Sequence, residues 1–231
     1  MQLIKWGKTP RLFSSQMTIT EKIDGTNSAI HIEQVVFGPR APGANYPEGT
    51  AFVRHGGSLW AVAAQDRNKF LSGNSDNHGF YEWVWDRAEC LAIDLGPGVH
   101  FGEFWGRKIN SGYNMTSKRL SLFNTRKWTD KQLTFITDGL GVVPVLYEGG
   151  FSTNQVLNVM ESLSDSGSIA SPGFMKPEGV CVYHHRSRQI FKYTFAEEAS
   201  LSRLEEPGTE RAYQGLRVAI QNEIEEKNVL Y

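Results

Sequence analysis

The feature that most limits how this chain folds is a series of short β-branched and aromatic runs, separated by helical stretches at irregular intervals. Period-2 alternation predicts strands near 17–23, 28–37, 50–55, 99–105, 132–136, 141–147, 178–184 and 188–195. Helical spacing predicts helices near 58–71 and 78–94, the second stopped by Leu95-Gly96-Pro97-Gly98. Ser152 and Gln155 have capping-box spacing and open a helix that runs to about Leu163, before the loop Ser164-Asp165-Ser166-Gly167-Ser168. Two helices split by Pro207-Gly208 are expected to close the chain, with Tyr213, Leu216, Ile220 and Ile224 on one apolar stripe of the last. Regular βαβ alternation would imply a parallel sheet. This irregular order implies an α+β fold with a mostly antiparallel sheet.

A chain of 231 residues has room for one domain, or a large domain with a small appendage. No apolar run approaches a membrane span and the N-terminus has no signal-like apolar segment, so a cytoplasmic, membrane-free protein is expected. Two cysteines, Cys90 and Cys181, support neither a disulfide framework nor a thiolate zinc site. The net charge of -1 does not mark a nucleic-acid binder, but its distribution is uneven. Residues 107–131 hold Arg107, Lys108, Lys118, Arg119, Arg126, Lys127 and Lys131 against Asp130, and Arg186, Arg188 and Lys192 follow with His184 and His185. Such segments are either solvated surface or seats for a phosphate backbone.

Four segments carry candidate chemistry. In Thr20-Glu21-Lys22-Ile23-Asp24-Gly25-Thr26-Asn27 a strand runs into a glycine turn with a lysine just before it. Lysine becomes a nucleophile when its surroundings free the amine, although a surface turn has the same appearance. Phe101-Gly102-Glu103-Phe104-Trp105-Gly106 brackets a carboxylate with glycines, where a ligand often approaches the backbone closely. Pro177-Glu178-Gly179-Val180 sets a carboxylate at the mouth of an apolar strand, and Ile190-Phe191-Lys192-Tyr193 sets a lysine in the next. These two strands read as a hairpin that turns Glu178 and Lys192 to one pocket, although Lys192 also reads as a snorkelling edge-strand lysine. Two carboxylates for a divalent ion and two lysines for phosphate oxygens suit nucleotidyl transfer.

In this order the segments resemble the motifs of the covalent nucleotidyltransferases, the DNA ligases, RNA ligases and mRNA capping enzymes. Glu21-Lys22-Ile23-Asp24-Gly25-Thr26-Asn27 is similar to motif I, with Lys22 at the adenylylated position. Phe52-Val53-Arg54-His55-Gly56-Gly57 stands where motif Ia belongs, with Arg54 as its arginine. Gly102-Glu103-Phe104-Trp105-Gly106 resembles motif III, Leu122-Phe123 supplies the stacking aromatic of motif IIIa, Glu178-Gly179-Val180 resembles motif IV and Ile190-Phe191-Lys192 motif V. The match runs from about 18 to 195. Thr26-Asn27 and the form of motif III are similar to the RNA-ligase branch, above all small phage-type ATP-dependent ligases. Motif V departs from the family pattern, since Lys192 stands where two lysines are usual, and Arg186 or Arg188 are alternative phosphate partners.

The resemblance implies an ATP-grasp-like adenylation domain at 1–195 with mostly antiparallel sheets flanked by helices. It leaves 196–231 as a short helical appendage, too short for an OB domain. It implies ATP and Mg²⁺ (or Mn²⁺), with Lys22, Glu178 and Lys192 catalytic and Glu103 and Glu178 at the metal. Glu21, Ile23, Asn27, Arg54, Glu103, Phe123 and Lys192 would bind the nucleotide, and Arg107, Lys108, Lys118 and Arg119 the RNA. The expected substrate is RNA with 5′-phosphate and 3′-hydroxyl ends, with a partner protein or a homodimer left open. The alternatives are a minimal DNA ligase, a GTP-using transferase, or a nucleic-acid-binding module whose active site has decayed.

Overall fold

In the computed structural model, residues 15–35 and 46–196 are described. The two expected closing helices lie outside them. The chain divides into two units, Met1–Lys192 and Tyr193–Tyr231, and the sheets and helices of the first carry the site.

The strands make two sheets, in a mixed α+β fold with few helices. One sheet has four strands in the order β10-β9-β1-β8, formed by β1 (Gln16–Lys22), β8 (Val145–Gly150), β9 (Gly179–His184) and β10 (Gln189–Thr194). The other has six in the order β3-β4-β2-β5-β6-β7: β2 (Thr26–Val35), β3 (Ala51–His55), β4 (Ser58–Gln65), β5 (Gly98–Gly106), β6 (Lys118–Leu122) and β7 (Leu140–Val142). The pairings of β1 with β8 and β9, and of β2 to β6 with their neighbours, are antiparallel, while β6 and β7 run parallel.

Alternation decides what each sheet covers. Ile30 and Ile32 on β2, Val62 and Ala64 on β4, Phe104 on β5 and Leu120 and Leu122 on β6 join one core cluster. The helices α1 (Phe80–Asp86) and α2 (Ala88–Leu95) pack into it through Phe80, Trp83, Val84, Leu91 and Leu95. The opposite face of the same sheet carries Asn27, Glu103 and Ser121 on one cross-strand row. In the four-stranded sheet Met17, Ile19 and Glu21 share a buried face with Val180, Val182 and His184. After the short helix α3 (Thr125–Trp128), the helix α4 (Thr153–Ser166) buries Val159, Met160 and Leu163, and Ser152 caps it by accepting from the Gln155 N–H.

The structure departs from the expected elements in five places. The single strand expected at 141–147 is two, β7 in one sheet and β8 in the other. The helix expected at 58–71 is strand β4 followed by a loop. The helix expected at 78–94 is two helices that meet at Arg87, which ends one and begins the next. The strand expected at 132–136 is a single 3₁₀ turn, Gln132–Thr134. The short strand β6 was not expected at all.

Candidate active site

Lys22 is the last residue of β1, and its register partner on β9 is Gly179, one residue after Glu178. The strand pairing therefore sets the two side chains together: Lys22 Nζ lies 2.6 Å from Glu178 Oε2, and both remain partly exposed. From the other sheet Glu103 turns to the same place. Burial pushes its carboxyl up to about 7, against the opposing pull of the Lys22 charge, and the Glu178 charge pushes it further the same way. Cys181 follows two residues after Gly179 on β9, and burial pushes its thiol up. The structure thus brings Lys22 and Glu178 into contact across 156 positions of sequence, with Glu103 turned toward them from the other sheet. Lys192 is exposed on β10, the strand beside β9.

The turn that carries Lys22 is braced from three sides. Gly25 lies flat on β5, where a Cβ would meet the Phe104 carbonyl oxygen at 2.5 Å and Glu103 Cγ at 2.9 Å. The Asp24 carboxylate accepts from Asn110 Nδ2 at 2.9 Å and from the Ser111 N–H. The Asp24 N–H donates to the Tyr113 hydroxyl at 3.1 Å. Below the turn Ile23 packs with Trp105, Tyr113, Val143 and Phe174.

Several expected site residues lie elsewhere. Glu21 alternates away from Lys22 and is buried, its carboxylate accepting from Ser168 Oγ at 2.5 Å and from the Ile169 and Ala170 N–H groups at 2.8 Å. Burial raises its pKa and those three bonds oppose the rise. Glu21 and Ile23 are therefore side chains of the interior, which leaves them only backbone atoms to offer a nucleotide. Arg54 pairs with Leu59 of β4, which pairs with Val35 of β2. That row lies eight residues from Asn27 along β2, or roughly 26 Å at 3.3 Å per residue. The structure does not bring Arg54 to Lys22. The motif III glycines also have a different reason from a ligand's approach. A Cβ on Gly102 would meet the Ser121 carbonyl oxygen at 2.6 Å, and one on Gly106 would press on that of Ser117, so both admit the neighbouring strand.

Asn27 does stand exposed opposite Glu103, on the face that also bears Phe123 and its neighbour Phe101. Of the basic residues, Arg107, Lys108 and Arg119 are exposed, with Arg119 opposite Trp105. Lys118 points to the other face of β6 and donates to the His78 carbonyl oxygen at 2.5 Å. Arg126 bridges the sheets. It donates to His185 Nδ1 at 2.8 Å, which leaves the Nε2 hydrogen for Thr18 Oγ1 at 2.8 Å, and Thr18 in turn donates to Glu148 at 3.1 Å. Sequence reasoning missed Cys181, Tyr113 and this chain of bonds, because none of them carries a motif.

Among the described residues no group of three or more His, Cys, Asp or Glu is set to hold a metal ion. Asp24 is already bonded to the 110–111 turn, which leaves Glu103 and Glu178 as the available carboxylates. Their mutual repulsion at Glu103 is what a cation would relieve. Two carboxylates with phosphate oxygens and water complete the shell that Mg²⁺ prefers.

A family model described as RNA ligase matches residues 15–194. The chain belongs to the RNA ligase family. No curated protein matches it. Among solved structures, a lysine-to-alanine variant of Naegleria gruberi RNA ligase R4a without ligand is 16% identical, with a TM-score of 0.52. A lysine-to-methionine variant with AMP and Mn is 16% identical at 0.51, and another lysine-to-alanine variant with ATP and Mn is 15% identical at 0.52. Each alignment covers 79% of this chain and 50% of the other, so this RNA ligase family member spans about half their length. That likeness is one of fold. No helix among the described residues is long and apolar enough to cross a membrane.

Proposed function

We propose that this chain is an ATP-dependent RNA ligase that forms a lysyl-AMP on Lys22, passes the AMP to an RNA 5′-phosphate and seals that end to a 3′-hydroxyl. The observation that carries the reading is the Lys22–Glu178 pair at 2.6 Å with Glu103 turned toward it from the other sheet. In the first step Lys22 Nζ attacks the α-phosphorus of ATP. The P–N bond forms as the bond to pyrophosphate breaks, and the Glu178 carboxylate, 2.6 Å away, stands where it can take the departing proton. Lys192 is on hand to offset charge gathering on the phosphate oxygens, and Phe123 offers a ring for the adenine. A divalent cation held by Glu178 and Glu103 would neutralise phosphate charge and orient the leaving group. The Naegleria structures with ATP and Mn or AMP and Mn support such a pairing of nucleotide and cation. In the later steps AMP moves to the RNA 5′-phosphate, and attack by the 3′-hydroxyl then releases it. Arg107, Lys108 and Arg119 are the exposed cations for the RNA, and a cytoplasmic setting with ATP and Mg²⁺ suits the reaction.

Incubation with α-³²P-ATP and Mg²⁺ followed by denaturing electrophoresis tests this reading. A labelled band that is stable to alkali, labile to acid and absent in Lys22→Ala is expected. Folded, unadenylylated protein that takes no label, or a Lys22→Ala protein that still labels, overturns it.

A further inference from the structure

Tyr113 is wholly buried, yet it sits in a backbone conformation that aromatic residues rarely adopt, with φ 49° and ψ 29°. Lys108, Asn110 and Asn114 around it also have positive φ, and the 108–114 turn carries both Ile109 and Tyr113 inward. The ring is fixed on both sides, stacked on Phe174 at 4.4 Å and edge-on to Trp105 at 5.3 Å. Its carbonyl oxygen accepts from Ser171 Oγ at 2.7 Å. What this arrangement delivers is a phenolic oxygen beneath the turn that follows Lys22. The oxygen accepts the Asp24 N–H, two residues beyond Lys22, at 3.1 Å.

The geometry points to Tyr113 as a positioning residue. Its hydroxyl ties the turn at the end of β1 to the 108–114 turn, and so holds Lys22 in place beside Glu178 for the attack on phosphorus. A ring that served packing alone would need no oxygen there. The inference rests on the proposed ligase reading for its consequence, but not for its geometry, and the experiment separates the two.

Tyr113→Phe removes the oxygen and keeps the ring. In the labelling assay the variant is expected to adenylylate about 10-fold more slowly at saturating ATP, with KM for ATP within about twofold of wild type and the melting temperature little changed, because a displacement of the reacting groups falls on kcat. In parallel, amide hydrogen exchange read by NMR on wild type is expected to show the Asp24 amide as slow as those of Ile19 and Val182. In the variant the Asp24 amide speeds up at least about 10-fold while the others hold. Wild-type rates in the variant, a loss confined to KM, or an activity loss that tracks a general fall in melting temperature overturns the proposal. Fast exchange of the Asp24 amide in wild type does so without any variant, which covers the case of a substitution that fails to fold. Absence of label in wild type with the expected exchange pattern instead overturns the ligase reading and leaves the tie between the two turns standing.

Discussion

Glu103 illustrates how a single residue reads the charge around it. Its carboxyl is raised to about 7, first by burial, so the folded state holds its proton where an unfolded chain, with the ordinary value of 4.5, has released it. Stability from this group is therefore fully present below about pH 4.5 and falls as pH rises toward 7, in the direction set by proton linkage. Glu103→Gln keeps the shape of the side chain and removes the titration. The variant is expected to gain about 1–2 kcal/mol over wild type between about pH 5 and pH 8 in urea melts. An unchanged difference across that range would show that Glu103 ionises as it does in water. At this scale the motifs pointed to Lys22, Glu103, Glu178 and Lys192 directly. Tyr113 was not legible, because nothing in Gly112-Tyr113-Asn114 signals that its oxygen lies under a strand end some ninety residues away in sequence.

At the scale of elements, the β1–β2 turn is set by what lies beneath it. Gly25 has no positive φ to explain it, and close approach to β5 is the whole reason. Gly25→Ala is expected to lower stability by about 1–3 kcal/mol, as overpacking does, and to lift Lys22 away from Glu103, so labelling falls further than stability. Thermal melts and single-turnover labelling of the same preparation check this. Most strands were legible from alternation. β4 was not, since Ala61, Val62, Ala63 and Ala64 are buried on both faces and show no period of two, while alanine favours the helix. Residues 132–136 misled in the opposite sense. The run is rich in strand formers, but Leu133 and Ile136 are 92% and 57% exposed, and residues 132–134 close a 3₁₀ turn instead of pairing. β6 begins with two charges and is only five residues long, and the sheet around it, rather than its own pattern, makes it a strand.

Across the whole molecule, face matters more than position in the chain. Lys118 and Arg119 are neighbours in a basic segment, but β6 sends them to opposite sides of its sheet. Arg119→Ala is expected to weaken binding of a 5′-phosphorylated oligoribonucleotide and to lower its salt slope by about 1, with stability unchanged. Lys118→Ala is expected to cost about 0.5–1.5 kcal/mol of stability through the lost bond to His78, and to leave the salt slope alone. Salt titrations of affinity beside urea melts distinguish the two. Arg54 makes the same point over a longer distance, because a motif matched by order alone cannot tell which row of a sheet its arginine joins. The meeting of β1, β5 and β9 at Lys22 has a consequence in time. Lys22 is synthesised before Glu103 and Glu178, so on the proposed reading a chain still emerging from the ribosome holds the nucleophile without the means to use it. Incorporated AMP would then count folded molecules, and the label itself would report that folding is done.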